Sequence, residues 1–357
     1  MDSWPINRTA VGFLLRLCLG GACLLGADET RAQSLDLAVG GYGLSFGNSK
    51  RITGLRINAI DRDVEQVRGV NLTFWTPGPN PEAEYSGLAL ALIGTKAREI
   101  NGIALSGIGL NARERMRGLG AGIFGVATAE MTGVALGAVT VNVSDQSRGI
   151  ALGGLWTTPT ERATGVVLSL GGAAARELDG AAAGLFAMAE TELTGLALGV
   201  GGFYAADLRG IGIGGIGGGG QKLRGLFVGG LGLGAGDLDG IGLSLGGIGG
   251  NAIDGIAISG LGIGAAERIR GVALTGLVNF APEATGITMG ALNGFYIDRV
   301  DLEDFIHFDM TNRRFTGLSI GLFNYSAELT GVQLGLLNYA ANNPRWLRLL
   351  PLVNVHL

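Results

Sequence analysis

The sequence predicts an all-β fold: a single-chain parallel β-solenoid of about fifteen residues per coil, with an up-and-down outer-membrane β-barrel as the competing architecture. Glycine supplies 67 of the 357 residues, far above ordinary globular usage. A glycine followed by an apolar-x-apolar triplet recurs at near-constant spacing from Gly54 to Gly331. Every unit carries the same marks in the same order, whereas a membrane barrel alternates short turns with long loops and so repeats every two strands. The closing LVNVHL alternates like the last strand of a barrel and keeps that alternative open.

Residues 1–32 read as an export signal. Arg8 precedes an apolar run from Ala10 to Gly26, interrupted by Arg16, and TRAQS offers a small-residue exit with cleavage expected after Ala32. The run is short for a membrane anchor, and the sequence before Cys23 is a poor lipid-attachment site. Cys18 and Cys23 both fall inside this segment, so the mature chain is expected to have no cysteine for disulfides or thiolate metal sites.

Residues 33–343 form the glycine-rich repeat domain. Its glycines, among them Gly102, Gly133, Gly195, Gly225, Gly255, Gly286, Gly317 and Gly331, are read as coil corners, where positive φ is needed. With the glycine as position 0, positions +1 and +3 are almost always apolar, as at Ile103 and Leu105, and are expected to point inward. Position +2 is small or polar (Arg56, Asn71, Ala104, Gln333) and is expected to point outward. Position −2 is a third apolar anchor, for example Ile100, Leu223 and Ile253. Position −1 is polar throughout. In register it would bring Arg209 and Arg224 beside Asp239 and Asp254, with Arg270 next, along a solvated edge.

Two stretches interrupt the repeat. Residues 73–85, TFWTPGPNPEAEY, are a proline-rich loop carrying Trp75. Residues 296–315 replace about one coil with a charged segment. Asp301, Glu303, Asp304, His307 and Asp309 there resemble metal ligands, but Leu302, Phe305 and Phe308 alternate with the acids as in a segment packing one apolar side. The two interruptions are where side-chain diversity rises, so Trp75, Tyr296, Asp301, Asp304 and His307 are the candidate partner contacts. No catalytic residue, metal site or cofactor is expected. The run GIGIGGIGGGG contains G-x-G-x-x-G, but at this glycine content that match arises by chance, and no helix follows it.

Asn279, Asn293, Asn324 and Asn338 follow their glycines by seven or eight positions and are placed to form an amide ladder between coils. Residues 344–357 are expected to cap the last coil, with Trp346, Leu347 and Leu350 covering the core. An apolar content of 47% with 16% charge excludes a disordered chain, and single, scattered Lys and Arg with a net charge of −4 give no nucleic-acid tract.

The segments ITGLRINAID and RGVNLTFWTPGP, the glycine repeats, and above all GLSIGLFNYSAELTGVQLGLLNYAANNP resemble a family of bacterial exported surface repeat-containing proteins. The resemblance spans nearly the whole mature chain. It implies export and association with the outer membrane or cell surface, and it brings no catalytic residues. The functional expectation is a non-enzymatic structural or interaction protein of the envelope, reaching the periplasm, outer membrane or cell surface. Its partner would be an envelope protein or a second copy, with membrane contact possible and neither nucleic acid nor small-molecule cofactor. An outer-membrane channel is the first alternative and an enzyme or metal-binding protein using 296–315 the second.

Overall fold

The computed structural model describes residues 34–159, 161–299, 307–310 and 312–357. The chain winds into a β-solenoid of about 19 turns, with no helix among the described residues. Neighbouring coils pair in parallel and in register glycine over glycine: Gly102 on Gly118, Gly210 on Gly225, Gly225 on Gly240 and Gly317 on Gly331. Parallel neighbours are not those of an up-and-down barrel, whose adjacent strands run antiparallel. At the strand spacing of about 4.8 Å, 19 turns make a rod about 90 Å long. The expected leader, residues 1–32, lies outside the described residues.

The eight glycines read as corners all have positive φ, from +119° to +137°. They do not interrupt the ladder: Gly225 sits within the strand Gly217–Gly229. At Gly225, φ is +132°, a region L side chains avoid, and a Cβ there would run into the carbonyl oxygen of Gly210 on the preceding coil. Each coil is therefore redirected at a point where the next backbone lies too close for any side chain.

The assignment of faces is the reverse of the sequence expectation. Position +2 points inward and positions +1 and +3 point outward: Ala104 is 0% exposed while Ile103 is 46% and Leu105 40% exposed. The buried row at +2 holds mainly small residues, such as Ala135, Ala151, Ala197, Ala257 and Ala273. Opposite it stand the large anchors at −2 (Ile100, Leu208, Leu223, Ile253) and at +8 (Leu110, Val126, Ile248, Ile263). The physical reason is volume. A coil of fifteen residues encloses room for about two large side chains and a few small ones, and interiors pack to crystal density. Where +2 is large, its neighbours shrink: Phe227 lies between coils whose +2 residues are Gly212 and Gly242. The Phe203 ring lies 6.2 Å from it, across the space that Gly212 leaves open.

Both ends of the stack are closed by antiparallel strands, which masks the open edge of a parallel sheet. At the start, Ser34–Val39 pairs with Tyr42–Gly47, which lies in parallel on Arg51–Asn58. At the finish, Leu349–His356 runs antiparallel to Glu328–Ala340. The cap works differently from the expectation: Trp346 is 78% exposed, and the core is covered instead by Asn343 and Asn354. In LVNVHL, too, the polar Asn354 faces inward and the valines outward.

The charged segment does not replace a coil. Gly286 pairs directly with Gly317, so the stack continues past it. The excursion leaves as a separate antiparallel hairpin, Phe295–Arg299 with His307–Met310.

Candidate interaction surface

Register turns the outward aliphatic residues into stripes. Position +1 presents Ile211, Ile241 and Ile256, position +3 presents Ile213 and Ile258, and the neighbouring ridge at +5 or +6 presents Leu170, Leu231 and Leu245. Together they form one apolar face from Leu88 to Leu337. With sixteen coils at the strand spacing and five residues of width, it measures roughly 75 Å by 16 Å, on the order of 1,200 Å². The largest apolar patch on an ordinary monomer is about 300–600 Å². Towards the N-terminal end the face dips into an open groove of about 830 Å³ between the +3 and +5 rows, lined by Leu90, Leu92, Leu105, Ile123 and Leu136 with no charged side chain.

The charged residues lie on the remaining flank, before each repeat glycine. Arg115 is 2.9 Å from Glu130 and 3.8 Å from Glu99, Arg162 is 2.6 Å from Glu177, and Arg268 is 3.0 Å from Asp254, each pair joining residues of adjacent coils. These pairs lie at the solvated surface, where water and salt screen them, and contribute little to stability. The −1 row stacks as expected: Arg224 over Asp239, Asp239 over Asp254, Asp254 over Arg270. The rod is thus amphipathic in cross-section, apolar after each glycine and charged before it.

Of the candidate contacts, Trp75 is 57% exposed and follows Phe74 at the edge of the apolar face, so it belongs to that surface. Its loop is anchored by Asn80, whose Oδ1 accepts from the Val64 amide at 3.0 Å. Tyr296 and His307 stand on the two strands of the excursion hairpin, and Asp301 and Asp304 lie outside the described residues. Among the described residues no group of three or more His, Cys, Asp and Glu is placed to hold a metal.

The interior becomes polar at both ends. Near the start, Arg56 at +2 is fully buried and donates to Asp61 at 2.6 Å and to Asn71 at 2.8 Å. The Asp61 carboxylate also accepts from Thr73 and from the Tyr85 hydroxyl, both at 2.8 Å. Burial alone would raise the Asp61 pKa, but the Arg56 charge and these hydrogen bonds outweigh it and hold the carboxyl below its usual value. Burial, with the Asp61 charge beside it, pushes the Tyr85 hydroxyl well above its own. Asp36, accepting from Ser49 and Ser45, is likewise held low. The Arg56–Asp61 cluster is buried and, apart from Arg56 Nε, which has no partner, is hydrogen-bonded within itself, as a structural cluster is.

At the other end the amides form a continuous chain. Asn279 Nδ2 donates to Asn293 Oδ1 at 2.9 Å, Asn293 to Asn324 at 2.8 Å, and Asn324 to Asn338 at 2.7 Å. Next to it the Tyr325 and Tyr339 rings stack with centroids 5.5 Å apart. The near-identity of GLFNYS and GLLNYA therefore has a structural cause: each coil repeats the donors, acceptors and rings that its neighbour requires.

The sequence pattern alone does not disclose the apolar face, because alternation with large aliphatics is read as pointing inward. Their uniformity from coil to coil was the signal. Compared with known proteins, the chain matches no family model, and no curated protein or solved structure is significantly similar to it.

Proposed function

We propose that this chain is an exported, non-enzymatic structural or interaction protein of the bacterial envelope, working through its apolar face. The observation that carries the reading is that face: outward Ile, Leu and Val continue through sixteen coils, although the core does not need them there. A surface of this size is costly to leave in water at about 25 cal/mol per Å² and is characteristic of binding surfaces. The leader-like residues 1–32 and the resemblance to exported surface-repeat proteins support the envelope as its location. Among the described residues, the ionisable cluster around Asp61 is buried, and exposed charges are consumed in ion pairs with one another: Arg98 lies among Glu82, Glu84, Glu99 and Glu114, and Arg115 between Glu99 and Glu130. Both fit a scaffold better than an enzyme.

The test is cell fractionation. Ile256→Asp with Ile258→Asp places charge on the face without touching the core. The unaltered protein is expected in the envelope fraction and the variant released from it, both with the leader removed. Equal retention of the two would overturn the role of the face, and an uncleaved cytoplasmic protein would overturn export.

A further inference from the structure

We infer that the apolar face is the interface of an antiparallel homodimer, with the two-fold axis crossing the rod between the coils of Gly195 and Gly210; this rests on the reading of the face as a binding surface. Two such faces pressed together would bury on the order of 2,400 Å² in total, above the roughly 1,600 Å² of a standard stable interface and within the range of permanent homodimers. A regular face meeting its own copy is an isologous contact, the commonest closed arrangement.

Charge selects the orientation and the register. The −1 row fringes one long edge of the face, and in an antiparallel pair this edge lies against the same edge of the other copy, read in reverse. In chain order the row runs Arg148, Thr164, Asp179, Thr194, Arg209, Arg224, Asp239, Asp254, Arg270. With the axis between Thr194 and Arg209, Asp179 faces Arg224 of the partner subunit and Arg148 faces Asp254 of the partner subunit. Every other charge in the row then faces a neutral Thr, or lies beyond the overlap. Moving the axis by half a coil one way sets Arg117 against Arg270. Moving it the other way sets Arg209 against itself and Asp179 against Asp239. Like charges directly opposed disfavour both. Asp179 and Arg148 have no ion-pair partner in their own chain among the described residues, whereas Arg224 and Asp254 pair with Asp207 at 3.5 Å and Arg268 at 3.0 Å and would share their charge across the seam. The overlap covers the coils from Gly87 to Gly331 and leaves the Trp75 loop at its end. A lipid surface is the weaker occupant: this fringe alternates in sign and the chain is net acidic, whereas surface-bound faces carry a basic border.

The test is sedimentation equilibrium on the protein purified from cells expressing the whole chain, with circular dichroism to verify folding. A dimer is expected. Ile211→Asp, an outward position next to the axis, should make it monomeric. Asp179→Arg, also exposed, should weaken dimerisation about tenfold, and Arg224→Asp added to the same chain should restore it to within about threefold. A dimer indifferent to Ile211→Asp, or one weakened but not rescued, overturns the proposal. A monomer that binds neutral phospholipid vesicles through the face also overturns it while leaving the binding-surface reading in place. A folded monomer that binds neither itself nor vesicles, and that is retained in the envelope regardless of Ile256→Asp, sinks both.

Discussion

Ile103 and Ala104 are adjacent in one strand, and the alanine faces the core: Ala104 is fully buried while the isoleucine stands half in solvent. Stability should therefore respond to the two positions in the opposite sense from their hydrophobicity. Ala104→Leu forces extra methylenes into a full interior and should cost about 1–3 kcal/mol. Ile103→Thr, which keeps the β-branch on the outside, should cost less than about 1 kcal/mol. Urea titration of the two variants compares them, and a larger loss at Ile103 would reverse the facing.

Gly225 and Gly234 make a second pair. Ala at Gly225 meets both a positive φ and the Gly210 carbonyl, and should cost at least about 2 kcal/mol. Ala at Gly234 meets nothing within 4 Å at an ordinary φ and should be neutral or slightly stabilising. Equal melting temperatures for the two variants would count against the stacked-glycine geometry.

The Arg56–Asp61 pair predicts how the protein responds to acid. Asp61 is held below its ordinary value, so its contribution is fully present above about pH 4 and is lost as pH falls through the depressed folded value. Asp36 acts in the same direction. The first coils should lose amide-exchange protection before the middle of the rod as pH drops below about 4. Asp61→Ala leaves Arg56 buried without its partner and should cost about 3–5 kcal/mol at neutral pH. Uniform loss of protection along the chain would show that the cluster does not govern the end.

Deleting 295–311 should leave the rod intact. The deletion leaves a spacing of fourteen residues from Gly286 to Gly317, the spacing that already separates Gly317 from Gly331. Asn293 and Asn324 keep their hydrogen bond in either case. Small-angle scattering should give the same maximum dimension for both proteins, and a collapsed or aggregated deletion variant would make the hairpin architectural.

The period, the positive-φ glycines, the parallel register and the asparagine chain could all be read from the sequence, because each is fixed by residues that recur at one position in every coil. The direction in which side chains face could not. Alternation shows that Ile103 and Leu105 share a face but does not say which one, and a shift of one residue exchanges the two. The habit of placing large aliphatics inside fails in a coil too narrow to hold them. The clue was the row at +2, where Phe227 is bracketed by Gly212 and Gly242; only an interior constrains volumes in that way. Arg56 misled for the same reason, since an arginine is expected outside unless its partners, here Asp61 and Asn71 from other parts of the chain, are known. Trp346, Leu347 and Leu350 are expected over the core, but Trp346 is exposed and the inward parity of the last strand falls on Asn354.

The central claim is that the large outward aliphatics belong to a binding surface and leave the fold to the small residues beneath them. It is tested most directly by thermal unfolding of one variant carrying Ile211→Ser, Ile241→Ser, Ile256→Ser and Ile258→Ser, followed by circular dichroism at a fixed low protein concentration. The account predicts a β-sheet spectrum and a cooperative transition, with self-association gone. Four core truncations of this kind would cost about 8–20 kcal/mol, on the scale of the roughly 5–15 kcal/mol that holds a domain folded. A chain already unfolded at room temperature would contradict the account.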